Sequence, residues 1–237
     1  MVHVSRFIDH EETSQAVAAE VLKTLELKAD ACILFTSGDT PTRAYEILSE
    51  KAPKGLFDQA TLVGLDEWVG IARSHKGGCG YMVENTLFKP LEISNQRYTF
   101  FDAQAVDLDA ECKKVDSVIF KNGGFDLVLV GLGLNGHIGL NEPGTPFDSY
   151  CLVTELDPLT AETGQKYFEE NTILKQGITV GLKHMLEAKK VIIMATGHKK
   201  AEIVNKVIKS EPHESLPASF IHLHSNGHIY TDVILNK

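Results

Sequence analysis

Five glycines, two asparagines, one histidine and one glutamate fall within the fourteen residues Gly131-Leu-Gly-Leu-Asn-Gly-His137-Ile-Gly-Leu-Asn-Glu142-Pro-Gly144. Glycine lets backbone approach a ligand closely and take up positive φ. A histidine and a carboxylate in that setting can move protons near neutral pH. The preceding run, Phe125 to Val130, reads as a buried strand, so the chemistry would stand at a strand's carboxyl end. Gly131, Gly133 and Gly136 match G-x-G-x-x-G, with Glu155 about 20 residues further on, as in a dinucleotide loop. Such a loop needs its third glycine to open a helix. Here Pro143, Pro146 and further glycines follow and break any helix. A catalytic loop is therefore favoured over a nucleotide loop or a plain turn, with His137 beside the strand end and Glu142 held by Pro143.

Three other strand ends carry polar groups. Ser37-Gly38-Asp39-Thr40 lies between a buried strand and a helix start, where backbone N–H groups can hold a phosphate. The same residues also read as a simple helix cap, and the Asp39 carboxylate would repel an anion. Asp66-Glu67 offers a candidate base, although acidic strand ends are common. Lys199 and Lys200 follow Thr196-Gly197 and could neutralise a phosphate; a cation near a helix's positive end is otherwise slightly unfavourable. Of the ten histidines, only His137 is flanked by glycines at a strand end. His184, His213, His222, His224 and His228 read as surface or packing residues. His222 and His224 alternate as strand residues would, which admits a metal pair but supplies no third ligand.

The elements that must position these groups alternate in type. Strands are expected at residues 2–7, 32–36, 61–65, 98–101, 125–130, 151–156, 176–182, 190–195, 221–223 and 228–233. Helices are expected at 11–27, about 41–52, from 81 toward 88, 107–121 and 199–209, with a glycine-rich loop over 75–80. Wholly apolar strands alternating with helices predict βαβ units around a mostly parallel sheet covered on both faces. No repeat or linker divides the chain, so one domain over 1–237 is expected. Ligands bind outside the carboxyl ends of such strands, which should bring residues 37–40, 66–68, 131–144 and 196–200 together.

Composition narrows the function. A net charge of −9 argues against nucleic acid or an anionic membrane as partner. It leaves room for a phosphorylated small molecule, which needs only a few local donors. The four cysteines are scattered, without CxxC or zinc spacing, and read as reduced thiols. No leader-like or transmembrane-length apolar run is visible, so a cytoplasmic protein is expected.

Six segments in order resemble the glucosamine-6-phosphate deaminase (isomerase) family, which includes galactosamine-6-phosphate deaminases. Thr36-Ser-Gly-Asp-Thr40-Pro41 is similar to its TGxTP phosphate loop, and Leu65-Asp66-Glu67-Trp68-Val69-Gly70 to its LDEYVG segment. Gly131 to Pro143 is the most specific match. Thr179-Val-Gly-Leu182, Gly197-His-Lys-Lys200-Ala201 and Pro217-Ala218-Ser219 complete it over essentially the whole chain. The resemblance implies a Rossmann-like, doubly wound α/β fold and a reaction without metal or cofactor, in which a hexosamine 6-phosphate becomes a ketohexose 6-phosphate plus ammonia. It implies Asp66 as the base moving a proton from C2 to C1, His137 as acid/base in ring opening, Glu142 as its orienter, and Asn135 as an aid to ring opening. It further implies phosphate on Ser37, Gly38 and Thr40 with Lys200 as counter-charge. Lys166, in Gln165-Lys166-Tyr167-Phe168, stands where the family usually has an arginine in an SRFF-like segment, and keeps the charge but loses the bidentate fork. A homo-oligomer is left open.

Further departures are Trp68 for the usual tyrosine, Ser149-Tyr150-Cys151 for Ser-Arg-Thr, and Gly77-Gly-Cys79-Gly-Tyr81-Met82 for an SYHxFM-like segment. Residues 75–82, 149–151 and 166 are therefore expected around the sugar, and favour a galacto-type or otherwise divergent hexosamine phosphate. The C-terminal extension of the allosterically regulated members is missing, so activation by an N-acetylhexosamine phosphate is not expected. The rival readings are a 6-phosphogluconolactonase, whose loop typically reads DGHTASLFP and lacks the deaminase glutamate, and a non-catalytic sugar-phosphate-binding regulator.

Overall fold

The computed structural model describes residues 2–235. Its strands are β1 (His3–Arg6), β2 (Cys32–Phe35), β3 (Thr61–Gly64), β4 (Asp66–Trp68), β5 (Tyr98–Thr99), β6 (Leu127–Gly131), β7 (Leu152–Glu155), β8 (Gln176–Thr179), β9 (Val191–Ala195) and β10 (Gly227–Thr231). Seven of them form one parallel sheet in the order β1-β10-β9-β6-β2-β3-β5. The helices are α1 (His10–Leu27), α2 (Asp39–Lys51), α3 (Cys79–Val83), α4 (Leu108–Lys121), α5 (Pro158–Gly164), α6 (Leu182–Leu186) and α7 (Ala201–Lys209).

Side chains alternate across a strand, so each apolar strand feeds two cores. Ile33 and Phe35 of β2 pack with Val17, Val21 and Leu25 of α1 and Ala44, Tyr45 and Leu48 of α2. Cys32 and Leu34 face the other way, toward Val115 and Ile119 of α4 and Val204 and Val207 of α7. This is the doubly wound α/β architecture expected from the apolar strands. Among the described residues no helix is long and apolar enough to cross a membrane, and all four cysteines are free.

The structure corrects several local expectations. Asp66–Trp68, expected as a loop at the end of the 61–65 strand, is itself a strand. It forms β4 in a second, antiparallel sheet of three strands, β4-β8-β7. Residues 221–223 are not a strand: Pro217–Leu223 is a 3-10 helix. Short apolar runs do not distinguish the two by periodicity, and here Pro217 starts the turn while Ser219 Oγ accepts from His213 N at 2.8 Å. The ring nitrogens of His222 and His224 donate to the Val207 and Ala188 carbonyls at 2.7 and 2.8 Å, so they do not form a metal pair. Helix α2 starts at Asp39, two residues before the expected position, with Gly38 rather than Asp39 or Thr40 at its cap.

Candidate active site

The chain leaves β2 toward β3 and β5 on one side, and later places β6, β9 and β10 on the other. The loops after β2 and β6 therefore part, and a crevice opens outside the carboxyl ends of the strands. It is a cleft of about 210 Å³ whose walls include Ser37 to Thr40, Asp66, Gly131 to Leu134, His137, Lys166 and Lys200. The four segments expected to converge do so.

His137 is held against the start of its own loop. A Cβ on Gly133 would lie 2.4 Å from Cδ2, Cε1 and Nε2 of its ring, so only glycine admits the imidazole there. Gly136 has φ +91° and packs against Leu216. The third glycine of the G-x-G-x-x-G pattern thus serves a turn, and no helix follows it before residue 158. Nδ1 of His137 lies 3.0 Å from Thr160 Oγ1 and 3.6 Å from Glu142 Oε2. The Thr160 hydroxyl also acts to lower the Glu142 carboxyl, so it acts on both the ring and the carboxyl expected to orient it. Burial, assisted by the Lys200 ammonium, pushes His137 down to about 4. The imidazole is therefore neutral near pH 7. Burial raises Glu142, against the hydrogen bonds from Thr160 and Asn135.

Asp66 faces the same cleft from β4. Burial first, and the Glu67 carboxyl second, raise it to about 7. Its Oδ1 is buried without a hydrogen-bond partner. Glu67 points away from this role: its carboxylate accepts the N–H groups of Trp68, Cys79 and Gly80, each at 2.9 Å, and ties the start of α3 to β4.

In another part of the cleft wall α2 begins without a side-chain cap, which leaves its first-turn amides able to hold an anion. Lys200 lies across from them, donates to the Leu132 carbonyl and is lowered by burial to about 8. Lys166 reaches the same loop but pairs with Asp39 at 2.6 Å. That pairing removes the objection that Asp39 repels an anion.

Not every expected residue borders the cleft. Asn135 and Glu142 stand behind His137: Asn135 Nδ2 donates to Glu142 Oε2 at 3.1 Å, and its Oδ1 accepts the His137 N–H at 3.0 Å. Of residues 75–82 only Cys79 reaches the cleft. Residues 149–151 lie elsewhere, with Tyr150 packed edge-to-face on Phe120 and tilted against His184, and the Cys151 N–H bonded to Asp116. Thr160 and Tyr167, on α5 and just after it, also line the cleft, and no motif in the sequence points to either. Only the Asp157-Pro158 helix start marked this region in sequence.

An imidazole, a carboxyl of raised pKa and an uncapped helix start come together at the switch point of a parallel sheet, a combination able to do acid–base chemistry. The chain belongs to the family of glucosamine-6-phosphate isomerases/6-phosphogluconolactonase, whose model matches residues 9–231. It is similar to glucosamine-6-phosphate deaminases of Bacillus velezensis, 34% identical over 226 residues and 94% of each chain, and of Bacillus pumilus, 32% identical over 98% of this chain and 97% of the other. Its structure superposes on that of a monomeric glucosamine-6-phosphate deaminase with a TM-score of 0.93, at 31% identity and 97% coverage of both chains. A 6-phosphogluconolactonase from Trypanosoma brucei shares the fold at 18% identity, covering 98% of this chain and 96% of that one, with a TM-score of 0.77. At that identity only the fold is shared evidence, whereas the deaminases match throughout. The chain is an enzyme of the amino-sugar-phosphate deaminase type.

Proposed function

We propose that this enzyme converts a hexosamine 6-phosphate, glucosamine 6-phosphate or its galacto epimer, with water into the ketohexose 6-phosphate and ammonia. The observation that carries the reading is the buried, unpartnered Asp66 Oδ1 in the same cleft as the neutral His137, with an anion cradle at the far end. The phosphate rests on the amides and hydroxyls of Ser37, Gly38 and Thr40, with Lys200 as counter-charge; Lys166 joins it by exchanging Asp39 for phosphate. His137 accepts the anomeric hydroxyl proton and returns it to the ring oxygen, which opens the ring without net proton change. Glu142 and Asn135 act through His137, by holding its ring and its loop.

Asp66 then takes the C2 proton of the open-chain aldehyde and delivers it to C1 of the enolamine. The resulting C2 imine adds water and releases ammonia. A carboxyl near pKa 7 suits both halves of this transfer, because it is a strong enough base to accept and acid enough to return the proton. Trp68, in the cleft wall where the family has tyrosine, supports a pocket that differs from the gluco-specific pattern.

Ammonia release from glucosamine 6-phosphate and galactosamine 6-phosphate, measured side by side, tests the reading. Turnover of at least one is expected, and Asp66→Asn abolishes it while substrate still binds. No ammonia from either with a folded protein overturns the proposal, and hydrolysis of 6-phosphogluconolactone instead assigns the lactonase chemistry.

A further inference from the structure

His184 belongs to a side-chain cluster that the reaction above does not use. Its Nε2 lies 2.7 Å from Asp116 Oδ1. The same oxygen accepts the Cys151 N–H at 3.0 Å, which holds Cys151 against α4. Ligand-capable atoms of Asp116, Cys151 and His184, one from each, all lie within 4.8 Å of one another. The three residues come from α4, the loop that ends at β7, and α6. Cys151 and His184 stand 35 and 68 residues from Asp116 in the chain, so no local spacing announces the cluster. None of the three borders the cleft.

The surroundings hold these groups together. Gly181, just before α6, lets the 149–151 backbone lie on the start of that helix. A Cβ there would collide with the carbonyl oxygens of Ser149 and Tyr150. The His184 ring is walled by Tyr150, Phe120 and Phe125, with ring centroids 4.6, 5.1 and 6.2 Å away. His184 is buried, whereas Asp116 and Cys151 keep partial exposure. The cluster therefore has an apolar back and a wet side.

We propose that Asp116, Cys151 and His184 bind a zinc ion outside the cleft, with a water as the fourth ligand. One sulfur, one imidazole nitrogen and one carboxylate oxygen suit zinc, whereas magnesium and calcium take oxygen ligands. Tetrahedral zinc sets such atoms about 3.3–3.6 Å apart. The His184–Asp116 pair would part by less than about 1 Å, and any wider pair would close by no more than about 1.5 Å, which side-chain rotation supplies. On binding, the Cys151 S–H bond breaks, its proton passes to water, and the thiolate sulfur bonds the metal. His184 coordinates through Nε2, and any proton on that atom moves to Nδ1. The Cys151 N–H continues to orient the Asp116 carboxylate from behind. The ion ties α4, the start of β7 and α6 to one another, so it stabilises the fold and takes no part in the reaction.

Cobalt(II) is the probe, because it enters tetrahedral zinc sites and its bond to a thiolate absorbs in the near ultraviolet. The full chain, stripped with a chelator and kept reduced, is titrated with cobalt chloride and then with zinc chloride. One equivalent of cobalt is expected to raise a thiolate-to-cobalt band, and zinc to erase it. Zinc is also expected to raise the melting temperature by mass action. Cys151→Ser is expected to lose both the band and the zinc-dependent rise in melting temperature. A folded protein that gives no band, or a band that survives Cys151→Ser, overturns the proposal. Should that variant fail to fold, X-ray absorption on the zinc-loaded, unaltered protein decides. One sulfur at about 2.3 Å among lighter ligands supports the site, and no sulfur or several overturns it. Ammonia release is expected to be the same before and after chelation. Loss of turnover on chelation would overturn the placement of the ion outside the reaction.

Discussion

Gly133→Ala places one methyl group against the His137 ring and little else. The new Cβ would lie 2.4 Å from three ring atoms, whereas ordinary contact begins near 3.4 Å, so the ring has to retreat by about 1 Å. The backbone accepts alanine, since Gly133 is not among the glycines at positive φ, and its N–H remains bonded to the His137 carbonyl at 3.0 Å. Overpacking of this kind costs about 1–3 kcal/mol in a closed core. Here the ring borders the open cleft, so the loss of stability falls toward the lower end. Catalysis is more sensitive. A misplacement of about 1 Å costs about 10²-fold, or roughly 2.7 kcal/mol in the barrier. Initial rates of ammonia release should show kcat reduced about a hundredfold, with KM changed by less than about threefold, because the phosphate end is untouched. The melting temperature should shift by only a few degrees. A kcat within about threefold of the unaltered enzyme would refute the reasoning: the ring's position would not be what the reaction depends on.

Asp66→Asn should stabilise the protein, and only where Asp66 is charged. Its carboxyl ordinarily titrates at 3.8 but at about 7 when folded. Between those values the folded state keeps a proton that the unfolded chain has lost, so stability falls as pH rises from about 4 to 7. At 1.36 kcal/mol per pH unit the penalty reaches up to about 4 kcal/mol above pH 7. The asparagine variant should melt higher than the unaltered protein at pH 8 and no higher at pH 4; an equal difference at both pH values counts against a raised Asp66. Thr160→Val keeps the shape of the side chain but removes the hydroxyl that meets His137 Nδ1 at 3.0 Å. One such hydrogen bond is worth about 1 kcal/mol, so kcat should fall roughly 5- to 10-fold while binding holds, and undiminished turnover would show that Glu142 orients the ring directly.

Alternating apolar strands and helices sufficed to specify a covered parallel sheet, because the periods of 2 and 3.6 are local properties of the chain. The proline-interrupted stretch after Gly136 likewise excluded a nucleotide-binding helix without coordinates. The sequence also named Asp66, His137, Lys200 and the Ser37 loop, since each sits at a strand end and carries a motif. It could not show that Asp66 belongs to a separate antiparallel sheet, because that depends on pairing with Thr179, more than a hundred residues away. Nor could it show that Thr160 meets the His137 ring, or that residues 149–151 turn toward α4 rather than the sugar. Side-chain direction in short elements is decided by the neighbours they pack against, not by their own residue order. Above all, the raised Asp66 and the depressed His137 come from burial. The same two residue types in an open loop would titrate at their ordinary values, and burial in the cleft is what raises the carboxyl and lowers the imidazole.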